Sequence, residues 1–227
     1  MKPVQCPLWF VAAAVLAAGF AAAASQQSIA GQRVADKPFM LFVTPLLPPE
    51  GPERSEAFSS ACYKALRELF DSTSFQVIIV PTAARADSMS NQKKDIILTT
   101  DTLDCYLEGP AFDTLVIWMR YHVGLLHSRI DVPYPKGREA TLPPIIARKV
   151  YRTVREEFTG VVELEGGPPG MTVTLTEGVV VRPPRTMLFP PGDYYITSQY
   201  PNFKKRVDTL VVFQGRVTKK RILLLPN

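Results

Sequence analysis

Three features of this sequence predict an α+β fold, with an α/β sandwich domain followed by a small all-β sandwich. Two stretches, one from Phe58 to Phe70 and one from Ile146 to Phe158, place apolar residues at helical spacing. Short β-branched runs cut by Pro and Gly lie between them. From Gly160 onward the apolar period falls from about 3.6 to 2. The expected plan is a leader at 1–24, a tail at 25–37, a mixed sheet with two main amphipathic helices at 38–158, and a β-sandwich at 159–227.

The leader comes first. Lys2 gives a positive start, and Leu8 to Ala24 is an unbroken apolar, alanine-rich run of 17 residues. Ala22 and Ala24 form an A-x-A cleavage pattern ahead of polar Ser25-Gln26-Gln27-Ser28. The run falls short of the ~20 residues that a spanning helix needs. A signal peptide and an exported protein, in a bacterial periplasm or cell envelope or secreted, are therefore expected, with no transmembrane segment after cleavage. An uncleaved anchor is the competing reading. Cys6 leaves with the signal, and Cys62 and Cys105 remain in an oxidising compartment. They could form a disulfide, or sit as buried free thiols.

In the expected α/β domain, Phe39-Met40-Leu41-Phe42-Val43 is a continuous apolar run, as a buried strand requires. Phe58, Ala61, Cys62, Ala65, Leu66, Leu69 and Phe70 then make one stripe on a helix that Ser55 can cap and Glu56 can favour electrostatically. Phe75 to Val80 reads as a strand, residues 82–95 as weakly helical, and Ile96 to Thr100 and Leu103 to Leu107 as short strands. Leu115 to Val123 and Ser128 to Val132 could pair across Gly124. A loop over 133–144 leads to Pro143-Pro144, which opens a helix with Ile146, Val150, Val154 and Phe158 every fourth residue; Gly160 is expected to stop it.

In the last third, Met171, Val173 and Leu175 alternate with three threonines, a strand with one buried face. Glu177-Gly178 reads as a turn and Arg182-Pro183-Pro184-Arg185 as a proline-fixed connection. Phe189-Pro190-Pro191-Gly192-Asp193 reads as a sharp turn, with Gly192 at φ > 0, that launches the strand Tyr194-Tyr195-Ile196-Thr197. Val207 to Phe213 and Val217 to Leu225 are expected to close as a hairpin around Gln214-Gly215.

Residues 161–225 resemble the PEGA domain. Pro168-Pro169-Gly170-Met171-Thr172-Val173 stands where that family has its Pro-Glu-Gly-Ala turn, with Pro169 in place of the Glu. Glu177-Gly178, Arg182-Pro183-Pro184 and Pro191-Gly192-Asp193-Tyr194 stand where it has its later turns, and Gln199-Tyr200 where it has Gly-Tyr. The resemblance implies structural turns at Gly170, Pro191 and Gly192 and a non-catalytic envelope module. Residues 38–158, with Leu103-Asp104-Cys105-Tyr106-Leu107-Glu108-Gly109 between strands and a closing helix, are similar in order to the TolB amino-terminal and curli-assembly lipoprotein domains. That similarity implies an assembly or recruitment role.

Formal charge is +5, or +4 without Lys2. Residues 25–158 balance at 16 Lys and Arg against 16 Asp and Glu, whereas 159–227 carry 9 against 5. Two basic clusters, Lys204-Lys205-Arg206 and Lys219-Lys220-Arg221, are candidate contacts for an anionic envelope surface. The competing reading is that they guard an edge strand. The expected partners are other envelope proteins or that surface, and no nucleic acid, because the excess is small. His122, His127 and Asp131 could meet across a hairpin to bind a metal or serve a periplasmic hydrolase, although no H-E-x-x-H occurs. No nucleophile elbow, Walker loop or G-x-G-x-x-G occurs either. The expectation is a binding or structural protein that is not an enzyme and has no cofactor.

Overall fold

Phe39–Val43 (β1) is buried at all five positions, as a strand covered on both faces must be. The computed structural model describes residues 37–46, 55–90, 93–100, 114–123, 127–133, 139–176 and 178–227. The expected leader, nearly all of the expected tail, the strand at 103–107 and Cys105 lie outside them.

β1 sits second in a five-stranded mixed sheet. Its neighbours are β2 (Phe75–Ile79) and β3 (Ile96–Thr99), both parallel to it; β4 (Thr114–Tyr121) and β5 (His127–Pro133) continue antiparallel, giving the order β2-β1-β3-β4-β5. Period-two alternation assigns the two faces. Phe39, Leu41, Val43, Phe75, Val77, Ile96 and Leu98 face α1 (Ser55–Phe70) and α3 (Leu142–Thr153). Met40, Phe42, Ile78 and Ile97 face the short α2 (Ala83–Met89), which buries Ala86 against them.

The helices follow their stripes. Phe58, Cys62, Leu66 and Phe70 of α1 are buried, while Ala61, expected in the same stripe, faces solvent. On α3, Ile146 and Val150 are buried, and so are Val154 and Phe158 in the π-helical turn Val154–Phe158 that extends it. Prolines in the first turn of α3 remove donors that would have had no partner.

The last third forms two sheets, of order β11-β10-β7-β8 and β12-β6-β9. The strands are β6 (Gly160–Gly166), β7 (Thr172–Leu175), β8 (Val180–Val181), β9 (Arg185–Phe189), β10 (Gly192–Gln199), β11 (Arg206–Val212) and β12 (Val217–Ile222). Met171, Val173, Leu175, Tyr194, Ile196, Leu210 and Val212 meet Leu164, Phe189 and Ile222 in one core. The result is a β-sandwich on an α+β chain.

Two expectations need correction. β11 and β12 do not form a hairpin: β11 pairs antiparallel with β10, and β12 pairs parallel with β6 in the other sheet. The turn at Gln214-Gly215 is therefore an arch between layers. Gly160 does not stop α3 but opens β6, and the preceding Thr159 already has extended backbone. Its lack of a side chain serves close approach, since a Cβ there would lie 2.3 Å from the Phe213 carbonyl oxygen.

The sheet-and-helix layer and the sandwich belong to one compact unit, Arg33–Asn227, and share one apolar cluster. The Phe39 and Phe189 rings meet edge to face at 5.7 Å. Ser74 Oγ donates to the Leu188 carbonyl, and the Tyr121 hydroxyl to that of Phe158. Lys94 Nζ donates to the Pro191 carbonyl at 2.6 Å and lies 5.1 Å from the centre of the Tyr194 ring. The Tyr194 hydroxyl donates to the Pro190 carbonyl at 2.8 Å. The proline turn is thus the clasp between the two layers. Gly192 has φ +147°, a conformation that favours glycine, and a Cβ there would lie 2.5 Å from Lys94 Nζ.

Candidate functional site

The most distinctive surface follows β11 and β12, the adjacent outer strands of the two sheets. An outer strand leaves backbone carbonyls without ladder partners. Here side chains take them: Thr218 Oγ1 donates to the Val211 carbonyl at 3.1 Å, Lys220 Nζ to that of Thr209 at 3.3 Å, and Arg206 Nη1 to that of Leu223 at 3.1 Å. The two sheets are laced at this corner.

This geometry divides the six basic candidates. Arg206 pairs with Asp208 at 2.8 Å, Lys220 approaches the same carboxylate at 3.6 Å, and Lys219 pairs with Glu163 at 2.8 Å. The hydrogen bond and charge of Glu163 hold the Lys219 ammonium pKa above its ordinary value. These three serve the edge. Lys204, Lys205 and Arg221 are exposed, and no carboxylate lies within pairing distance of them among the described residues.

Beside these three cations lie apolar side chains in solvent. Six of the eleven exposed large hydrophobic residues described, Val207, Val211, Phe213, Val217, Leu223 and Leu225, fall on β11, β12 and their flanks. Leu223 and Leu225 are 54% and 64% exposed, while Leu224 between them turns inward against the core. The segment is held in place. Lys204 N donates to the Leu225 carbonyl at 2.9 Å, Asn227 N to that of Asn202 at 3.2 Å, and Phe203 bridges Pro226.

The histidines go elsewhere. His122 Nδ1 lies 3.2 Å from Asp87 Oδ1, and Arg120 grips both oxygens of the same carboxylate at 2.9 and 2.7 Å. His127 and Asp131 share the exposed face of β5, four residues and so ~13 Å apart along an extended strand. Asp131 pairs with Arg129 at 2.9 Å, and Arg129 in turn lies over the Trp118 ring at 5.7 Å. The alternative grouping of His122, His127 and Asp131 does not occur: His122 turns to Asp87, Asp131 to Arg129, and His127 lies at the far end of β5 from Asp131. Among the described residues no three His, Cys, Asp or Glu are grouped to hold a metal.

The Asp87–Arg120–His122 cluster was not singled out from the sequence. Its members come from α2, from β4 and from just beyond β4, and no spacing links them. Asp95 is similar: fully buried, it accepts from Met40 N at 2.9 Å and from Ser90 Oγ at 2.7 Å. It thereby supplies the ladder bond that β1 lacks where β3 has not yet begun.

Cys62 lies buried on the inner face of α1 as a free thiol, and burial pushes its pKa up to about 12. A proposed bridge to Cys105 falls outside the described residues. Gly170 closes the Pro168–Met171 turn at φ +84°, with the Met171 N–H donating to the Pro168 carbonyl at 3.1 Å. No helix among the described residues is long and apolar enough to cross a membrane. Searches of protein-family models, curated proteins and solved structures find nothing that matches this chain.

Proposed function

We propose that this chain is a non-catalytic, exported cell-envelope protein, a binding and assembly module that docks through its β11–β12 side. The observation that carries the reading is that exposed apolar residues lie on β11, β12 and their flanks together with Lys204, Lys205 and Arg221, which pair with no carboxylate among the described residues. Contiguous apolar surface rimmed by polar groups marks contact sites rather than ordinary solvent-facing sheet. The apolar leader ending in the A-x-A pattern at Ala22 and Ala24 supports export. The turn order of residues 161–225, similar to PEGA domains, supports an envelope module. A metal-dependent hydrolase built on His122, His127 and Asp131 draws no support from their positions.

The test is co-sedimentation of the full chain with a bacterial envelope fraction at low and high salt. Binding that weakens with salt, and weakens again when Lys204, Lys205 and Arg221 become Gln, is expected. A chain that stays in the supernatant at every salt concentration would refute the reading.

A further inference from the structure

Within that reading, on which this inference rests, the Lys204–Lys205 and Leu223–Leu225 end of the sandwich is a distinct device. Exposure there does not come from a loose tail. Leu224 is packed inward, and Leu223 and Leu225 are held by their carbonyls to Arg206 Nη1 at 3.1 Å and Lys204 N at 2.9 Å. Two leucines are therefore presented outward by fixed backbone. Around them stand Lys204, Lys205 and Arg221, the three basic candidates that pair with no carboxylate among the described residues.

We propose that this end is a membrane-surface anchor: the two leucines enter the interfacial zone of an anionic phospholipid bilayer while the three cations meet its headgroups. Charge complementarity selects an anionic partner. The leucines separate the candidates further, because an acidic polymer would engage the cations and leave the apolar side chains in water. Size argues against a protein. A specific protein interface takes about 800 Å² from each partner, far more than two half-exposed leucines offer. A bilayer requires no matching surface, and apolar side chains flanked by Lys and Arg are what interfacial anchors use. The cations add long reach, each worth about a fivefold gain in partition near an anionic leaflet.

The experiment uses the full chain with vesicles of phosphatidylcholine alone and with about one-third phosphatidylglycerol, at about 0.1 M and about 1 M salt. Co-sedimentation is expected only with the phosphatidylglycerol vesicles and only at the lower salt. The triple variant Lys204→Gln, Lys205→Gln, Arg221→Gln should lower partition on the order of a hundredfold. The variant Leu223→Ser, Leu225→Ser, which keeps every charge, should lower it by about tenfold. Both variants change exposed side chains, and unchanged circular dichroism and melting would confirm that they fold. Equal binding by the leucine variant would overturn the anchor, leaving only diffuse attraction. So would a leucine-dependent dimer in sedimentation equilibrium. Association with native envelope but not with protein-free vesicles would overturn the lipid inference and leave the module reading standing. Failure with both would overturn both.

Discussion

Replacing Gly160 with Ala isolates a purely steric demand. The residue has no positive φ, so Ala costs nothing in backbone conformation. Its Cβ, however, would lie 2.3 Å from Phe213 O, 2.8 Å from Val212 Cγ1 and 3.1 Å from Arg216 O. Two of those contacts are backbone of the arch joining β11 to β12, so relief requires the arch to move. The arch is tied down beside this point, with Gly215 N donating to Thr159 O at 2.7 Å and Val161 N to Arg216 O at 2.8 Å. Losing both bonds costs about 2 kcal/mol, and residual overpacking roughly 1–3 kcal/mol more. A loss of about 4 kcal/mol lowers the melting temperature of a domain this size on the order of 10 °C. The control is Gly178→Ala, where φ is +77° but nothing lies within 4 Å of the new Cβ. It pays only the left-handed strain of about 1–2 kcal/mol, a shift of a few degrees. Thermal melting by circular dichroism and a urea midpoint for each variant decide the matter. Equal shifts, or a larger one at Gly178, would refute the close-approach argument.

Other outcomes follow from the same contacts. Lys94→Met keeps the aliphatic stem but removes the bond to Pro191 O and the charge above Tyr194, and should cost about 2–3 kcal/mol in urea titration. Asp95→Ala, which strands the buried Met40 N–H, should cost about 2–4 kcal/mol, and Asp95→Asn clearly less; equal losses would show that Met40 is satisfied otherwise. Cys62 should resist a thiol reagent at pH 8 in the folded protein and react on unfolding, as read by mass mapping of its peptide. Because its folded pKa stands above the unfolded one, near 9, its contribution is complete below pH 9 and is lost as pH rises toward about 12. Cys62→Ala should accordingly flatten the alkaline limb of the stability profile.

The sequence made local periodicity legible and long-range partnership much less so. The stripe from Phe58 to Phe70 and the four-residue spacing from Ile146 to Phe158 appear in the fold because each faces one flat sheet. Ala61 escaped because its small side chain sits at the margin of the buried arc. The alternation of Met171, Val173 and Leu175 survived intact for the same reason. The supposed hairpin failed because a Gly turn between two β-runs looks identical whether it folds back in one sheet or arches to another. Lys94 and Asp95 carried no signal, being single polar residues whose partners lie 97 and 55 positions away. Half of the basic surface was misleading in isolation, since Glu163 reaches Lys219 across the β6–β12 pairing and Asp208 reaches Lys220 from the neighbouring strand; the Arg206–Asp208 pair alone was local, two residues apart on β11. The proline turn at 189–193 was legible as a turn, but its place as the clasp against Tyr194 and Lys94 was not.

The parallel pairing of β12 with β6 has a consequence for how the molecule is made. Val161 must wait for Val217 before its side of the ladder closes, and every other sandwich strand is synthesised in the interval. A growing chain therefore carries β6 with one bonding edge open until nearly all of β12 has emerged. Loop closure over such a separation is slow compared with a hairpin. The arch at 213–216 can therefore seat against Gly160 only after β7 to β11 have been made. The parallel ladder then ties β6 to a strand that follows it by more than fifty residues.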